Sequence, residues 1–386
     1  MLRMLAAVTF LIFFQAYMVA PIIPALSQAF GTSVQTVALV VPAYLIPYGI
    51  ATLAYGLLAD HFGIHRVIFG SLTAFMVLTT ATATATSIEQ ITAWRVVTGL
   101  GASGVVPMAL VLVGRLFPYE QRGRPLGWLF GAMAGGMALG SPLGSILVPL
   151  IGWRGLFLGV GVTGIVALAM LRPYGSFIAA ALAPAGGTVG QLVSGYLSLL
   201  GSARARRTYA YVFLNSMFHS GVFTWLGVYI ERRYHLGPAG IGLALLGYGI
   251  PGFLLGPVVG RVADRWGRSI LLPLGLGLGA TAAAALLLDF PLVLTPVAAL
   301  VLSLGYDTTQ PLFAGIVTSF GGKRPGQAMG LNVFSLFVGF GVGSLVFGEI
   351  VRHGFSAALG TFAAAELLLA VCALWVFRAE RPSSRT

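Results

Sequence analysis

Apolar residues in this chain do not alternate or recur with a helical period. They run in long stretches, broken by short clusters of arginine, glycine and proline. A helix needs about 20 apolar residues to cross a bilayer. At that window twelve stretches emerge, over 4–26, 37–59, 67–86, 91–113, 126–149, 155–171, 208–230, 238–260, 270–288, 291–317, 327–350 and 356–377. Segments apolar on every face belong inside lipid or protein, so the pattern predicts an all-α membrane protein of twelve transmembrane helices. The opening MLRMLAAVTFLIFF is too long an apolar run for a secretory leader, and Pro21 and Pro24 stand where cleavage would occur. It reads as an uncleaved first span.

Residues 173–203 are nearly as apolar, but Pro184, Gly186 and Gly187 divide them into pieces too short to cross. The expected organisation is an N-terminal six-helix bundle over 1–171 and a cytoplasmic linker over 172–207. A second six-helix bundle over 208–386 follows, ending in a short cytoplasmic tail. The linker is expected to form a short helix on the membrane surface.

Composition agrees with the pattern. Of 386 residues, 58% are hydrophobic and 8% charged, against roughly 25% charged in soluble domains. Twenty-two Lys and Arg against ten Asp and Glu give a formal charge of +12, which raises nucleic acid as a partner until the cations are placed. With the N-terminus inside, seventeen fall in loops on one side and four, Arg154, Arg232, Arg233 and Arg352, on the other. The excess marks the cytoplasmic side, so the charge is a topology signal and no nucleic-acid partner is implied. Both termini are expected in the cytoplasm. A single cysteine, Cys372, excludes an internal disulfide and a thiolate metal cluster.

The chain also repeats itself. YLIPYGIATLAYGLLADHFG (44–63) aligns with YGIPGFLLGPVVGRVADRWG (248–267) at an offset of 204, pairing Pro47 with Pro251, Asp60 with Asp264 and Gly63 with Gly267. Further along the offset becomes 203, pairing Gly123 with Gly326 and Gly140 with Gly343. Six spans per repeat place both halves in the membrane the same way up.

The loops GLLADHFGIHR and GRVADRWGRS resemble the signature G-x-x-x-D-R-x-G-R-[RK] of the major facilitator superfamily. The second copy supplies Gly260, Asp264, Arg265, Gly267 and Arg268; the first keeps Gly56, Asp60, Gly63 and Arg66 and departs at His61 and Ile64. WRVVTGLGASG resembles the fourth-span motif R-x-x-x-G-x-G through Arg95, Gly99 and Gly101. GGMALGSPLGS (135–145) is similar to the fifth-span Gly/Pro motif of proton-driven antiporters, with Gly140, Pro142 and Gly144, but lacks its adjoining Gly-Pro and closing Gly pair. The resemblance implies two bundles of six helices that alternate access to a central site, in a bacterial inner (plasma) membrane, functional as a monomer.

It also implies that the first, fourth, seventh and tenth spans line the cavity. Those spans carry Gln15, Arg95, Asn215 and His219, and Asp307, Thr308 and Gln310. Ionisable groups inside a span are functional candidates by default. Asp307 is the leading proton-coupling carboxyl, its alternative being a neutral acid hydrogen-bonded across the bundle. His219 is the second candidate, or else a packing residue. Arg95 binds an anionic group or ties the fourth span to its neighbours. Glu366 reads as structural and Glu349 as hydrated. Asp60 and Asp264 latch the cytoplasmic ends together, with Arg115 as the proposed partner of Asp60; the alternative is a plain topology anchor.

Two G-x-G-x-x-G matches, 99–104 and 159–164, lie inside apolar spans with no preceding strand and fail the dinucleotide test. No P-loop motif is present, and His61 and His65 lack further ligands. No cofactor, metal or enzymatic activity is expected. The expected function is secondary transport, proton-driven efflux of a small amphipathic or drug-like compound, with an organic anion or metabolite as the alternative substrate.

Overall fold

A computed structural model describes residues 1–117, 121, 123–180, 188–252, 254, 262, 265–289, 291–322 and 324–380. Gly260 and Asp264 lie outside the described residues. Among those described, helices account for every regular element and no strand occurs.

The first span is the helix Leu2–Tyr17, continued after a bend by Ile23–Phe30. The bend falls where Pro21 and Pro24 withhold backbone donors. The second span, Pro42–Phe62, runs unbroken through Pro47. Ile64–Thr82 is the third, and Ile88–Ala102 with Val105–Leu116 the fourth. The fifth and sixth form one long path, Gly123–Leu171, turned at Gly152 with φ 70°, a conformation that favours glycine. The seventh is Ala203–Tyr234, starting ahead of the 208 boundary because Ser202 caps it by accepting from the Ala205 N–H. The eighth begins as Pro238–Ala244 and breaks at 245–249. Arg268–Ala285, Thr295–Phe320, Pro325–Ile350 and Phe355–Val376 complete the set.

Nine helical stretches among the described residues are long and apolar enough to cross a membrane. The fifth and sixth spans count once among them because they are continuous. The seventh falls short in hydropathy because Asn215, Ser216, His219, Ser220 and Thr224 sit within it, all buried. The eighth is not counted: its described helix Pro238–Ala244 is seven residues long, and much of the segment after 252 lies outside the described residues.

Small residues bring the spans together, and they do so twice. A Cβ on Gly136 would lie 2.5 Å from the Phe10 carbonyl oxygen, and one on Gly140 2.7 Å from that of Phe14. At the offset of 203, Gly339 meets the Phe213 carbonyl and Gly343 that of Met217. The fifth span therefore packs on the first as the eleventh packs on the seventh, backbone against glycine. The loop glycines repeat as well: Gly63 has φ 87° and Gly267 φ 83°.

The short helix expected in the linker is Val189–Leu200, opened by a capping box of Thr188 and Gln191. Tyr196 donates from its hydroxyl to the Leu53 carbonyl of the second span, and Gly195 adjoins Gln327 of the eleventh. Val189, Val193 and Leu197, on another face, are exposed.

Candidate functional site: a central aromatic pocket beside a broken helix

A small pocket lies between the two halves. Tyr17 and Val41 face it from the first half, and His219, Ser220, Phe223 and Phe340 from the second. None of its described lining residues is Lys, Arg, Asp or Glu. Its polar centre is His219, 1% exposed, whose ring stacks 3.9 Å from Tyr306 and whose Nε2 lies 2.5 Å from the Tyr248 hydroxyl. Phe223 stacks on Tyr248 at 4.2 Å, and Tyr17 adjoins Phe223 at 5.5 Å. The imidazole is thus held among aromatic rings. No carboxylate pairs with it among the described residues.

Tyr248 belongs to the break in the eighth span. A helix interrupted in an apolar interior frees backbone groups that protein must satisfy, and here the tenth span does so. Gly249, with φ 80°, donates its N–H to Ser303 Oγ at 2.9 Å. Ser303 in turn donates to Asp307 Oδ2 at 2.6 Å, and Asp307 also accepts from the Gly252 N–H. Asp307 is close enough to Tyr17, Tyr248 and Tyr306 to act on them electrostatically, and it remains partly exposed. His219 and Asp307 are therefore linked through one irregular stretch, Tyr248 serving one and Gly249 the other.

The remaining candidates are placed as follows. Asn215 sits one turn from His219 on the same helix and donates to Thr309 Oγ1 at 2.7 Å, joining the seventh and tenth spans. Gln15 is fully buried, and neither side-chain amide atom has a partner among the described residues. Thr308 is buried and Gln310 partly exposed on the tenth span. Arg95 does not face the cavity. Its guanidinium lies over the Tyr44 ring at 4.2 Å and its Nε donates to the Val40 carbonyl at 3.1 Å. Gly99, one turn on, presses on the Tyr44 backbone, and Gly101 packs on Ala74. The motif docks the fourth span on the second and third. Glu366 is buried without a partner among the described residues, while Glu349 is exposed and pairs with Arg352 at 3.2 Å.

Of the described loop residues, Gly56, Asp60, Arg66 and Arg265 stand apart in this conformation. Gly56 has nothing within 4 Å of where a Cβ would sit. Asp60, Arg66, Arg115 and Arg265 are exposed. Arg115 acts on Asp60 through space, but no ion pair of Asp60 falls within 4.0 Å among the described residues. Arg268 lies against Gly315 of the tenth span. At the opposite end the halves are joined. Gln28 Nε2 lies 3.5 Å from Glu231 Oε1, Gly227 packs on Pro21, and Ser145 donates to the Pro238 carbonyl at 2.7 Å.

Sequence reading missed Ser303, Tyr248 and the break itself. The signal was present in LLGYGIPG (245–252): glycine and proline interrupting an apolar segment point to a binding region in transporters. It also missed Glu380, which accepts from Arg204 through both carboxylate oxygens at 2.7 Å each and lies 3.5 Å from Arg207.

The sequence matches the profile of the Major Facilitator Superfamily over residues 5–324 and 212–386, and the chain belongs to that family. It is 27% identical over 363 residues to a chloramphenicol resistance protein of Streptomyces lividans, covering 94% of this chain and 91% of that one. A 4-hydroxybenzoate transporter, PcaK of Pseudomonas aeruginosa, is 31% identical over 150 residues, which is 39% of this chain and 34% of PcaK. Among solved structures, a D-xylose–proton symporter superposes with a TM-score of 0.75 at 13% identity, over 96% of this chain and 95% of that one. A peptide transporter gives 0.75 at 17% identity, over 98% and 94%. The protein is thus a multi-pass membrane transporter.

Proposed function

We propose that this transporter exports a small, uncharged amphipathic compound in exchange for protons, by alternating access about the central pocket, as a monomer in a bacterial inner membrane with both termini in the cytoplasm. The observation that carries this reading is the pocket wall: aromatic and apolar, without a charged side chain, and with a carboxylic acid one layer behind it. Such a wall favours stacking and burial over ion pairing. Asp307 is the proton carrier in preference to His219, because Asp307 is partly exposed while His219 is enclosed by rings. The joined ends at Gln28–Glu231 and the open space at Gly56 support a reading in which this conformation is closed outward, with the Asp60 latch released.

Export fits the similarity to the chloramphenicol resistance protein, and the partial antiporter motif in the fifth span points the same way. That motif touches the eighth span: a Cβ on Gly242 would lie 2.7 Å from the Pro142 carbonyl oxygen. The PcaK match favours an organic anion as a second reading, with Arg95 or His219 supplying charge. Against it, Arg95 is turned onto Tyr44 and away from the pocket.

Thermal shift of detergent-purified protein separates the two. Stabilisation by chloramphenicol and not by 4-hydroxybenzoate supports the first reading; stabilisation by 4-hydroxybenzoate alone overturns it in favour of the second.

A further inference from the structure

We propose that the groove between the first and fifth spans, at the Arg-rich end, binds an anionic phospholipid. Arg3 and Arg124 hold its phosphate, and one acyl chain lies along the fifth span. The inference goes beyond the export reading and does not depend on what is carried or in which direction.

Charge comes first. Arg3 and Arg124 each stand in the first turn of a long helix, Leu2–Tyr17 and Gly123–Leu171, and both are exposed. They line one groove together with Trp128. Among the described residues neither has an ion pair within 4.0 Å, and no Asp or Glu lines the groove. Two helix starts bring the positive ends of their dipoles to the same place. Cations gathered between transmembrane helices at the membrane boundary, with no protein counter-charge, match an acidic headgroup. Trp128 adds an amphipathic ring of the kind that settles at headgroup level.

Shape decides between a lipid and a free anion. From the arginines the groove runs over Gly127, Gly131 and Gly135 of the fifth span, walled by Phe10 of the first. At 1.5 Å per residue, Arg124 to Gly135 spans about 16 Å, which is one leaflet of a hydrocarbon core some 30 Å thick. The glycines of this span fall into two sets. Gly136 and Gly140 admit the backbone of the first span, whereas Gly127 and Gly131 have nothing within 4 Å of where a Cβ would sit. Helix packing accounts for the first set and not for the second, whose missing side chains leave room for a flexible chain. A free phosphate would use the arginines and leave this apolar length bare.

The test follows melting of the full chain, delipidated in detergent, with added phosphatidylglycerol or an equal concentration of phosphatidylcholine. Wild type is expected to melt a few degrees higher with phosphatidylglycerol, because a ligand that binds only the folded state stabilises it. Each variant's own melting in phosphatidylcholine is its reference. Arg3→Gln combined with Arg124→Gln should lose the difference. So should Gly131→Leu, which fills the groove and keeps both charges. Arg172→Gln, at an exposed arginine outside the groove, should keep it. The proposal is overturned if the double arginine variant or Gly131→Leu keeps the difference, or if Arg172→Gln loses it equally. Inorganic phosphate that raises wild-type melting as much as phosphatidylglycerol also overturns it, in favour of a free-anion site. No transported compound is needed, so these outcomes are independent of whether chloramphenicol binds.

Discussion

Glu380 holds Arg204 by two hydrogen bonds of 2.7 Å each, pinning the end of the twelfth span to the start of the seventh. Its backbone carbonyl also accepts from the N–H groups of Arg268 and Ser269, at 3.1 and 3.2 Å, so the repeated loop joins the same knot. Bidentate arginine–carboxylate pairs are the stronger kind, although Arg204 is 40% exposed and solvent screens it.

Glu380→Gln is expected to lower thermal stability by on the order of 1 kcal/mol at neutral pH. Burial pushes the Glu380 carboxyl up, but the Arg204 hydrogen bonds and the charges of Arg204, Arg207 and Arg268 outweigh it and hold it below its ordinary value of 4.5. A carboxyl depressed in the folded state stabilises above its unfolded value, and that stabilisation fades as pH falls through the folded one. The gap between wild type and Glu380→Gln should be full above about pH 5 and narrow progressively below 4.5. Melting curves across that range check it; a gap that widens on acidification would refute the assignment.

Glycine contacts repeated at one offset lead to a paired prediction. Valine at Gly140 or at Gly343 forces side-chain atoms into a neighbouring backbone carbonyl, and overpacking of this kind costs about 1–3 kcal/mol. Both variants should melt earlier by similar amounts.

Gly56 makes the contrasting case. Nothing lies near its missing side chain here, so Gly56→Val should melt as wild type does. Closing the Arg-rich end is expected to bring a helix against that position, so transport should fall by roughly tenfold or more, equivalent to about 1.4 kcal/mol. Wild-type transport in Gly56→Val would mean that the ends never close there.

Gln28 and Glu231 form the outward contact. With Cys372 replaced, Gln28→Cys together with Glu231→Cys should be joined by a short thiol-reactive linker, and joining should stop transport until it is cleaved. Full transport in the joined protein would remove this contact from the gate.

The spans and the repeat were legible in the sequence because bilayer length and charge bias act locally and leave long signals. Of the polar residues expected to line the cavity, His219 lines the pocket, and Gln15, Arg95, Asn215, Asp307 and Gln310 are not among its lining residues. Gly63 and Gly267, aligned by the repeat, share a positive φ in the structure. What stayed hidden depended on partners far along the chain. Pro47 and Pro251 align, yet the irregular stretch at 245–249 bonds through the Gly249 N–H to Ser303 of another span, a partner that the repeat does not reveal. Arg95 was open between ligand binding and packing until Tyr44 and Val40 were placed around it. Glu380 sat among arginines in a polar tail, and only folding brings Arg204 to it.

The central claim, proton exchange through Asp307, is tested most directly in proteoliposomes with an acid interior, by the accumulation of radiolabelled chloramphenicol above protein-free liposomes. Wild type is expected to accumulate it and to lose accumulation when the gradient is reversed. Asp307→Asn should abolish accumulation while retaining gradient-free exchange of labelled for unlabelled chloramphenicol. Gradient-driven accumulation by Asp307→Asn equal to wild type would contradict the account.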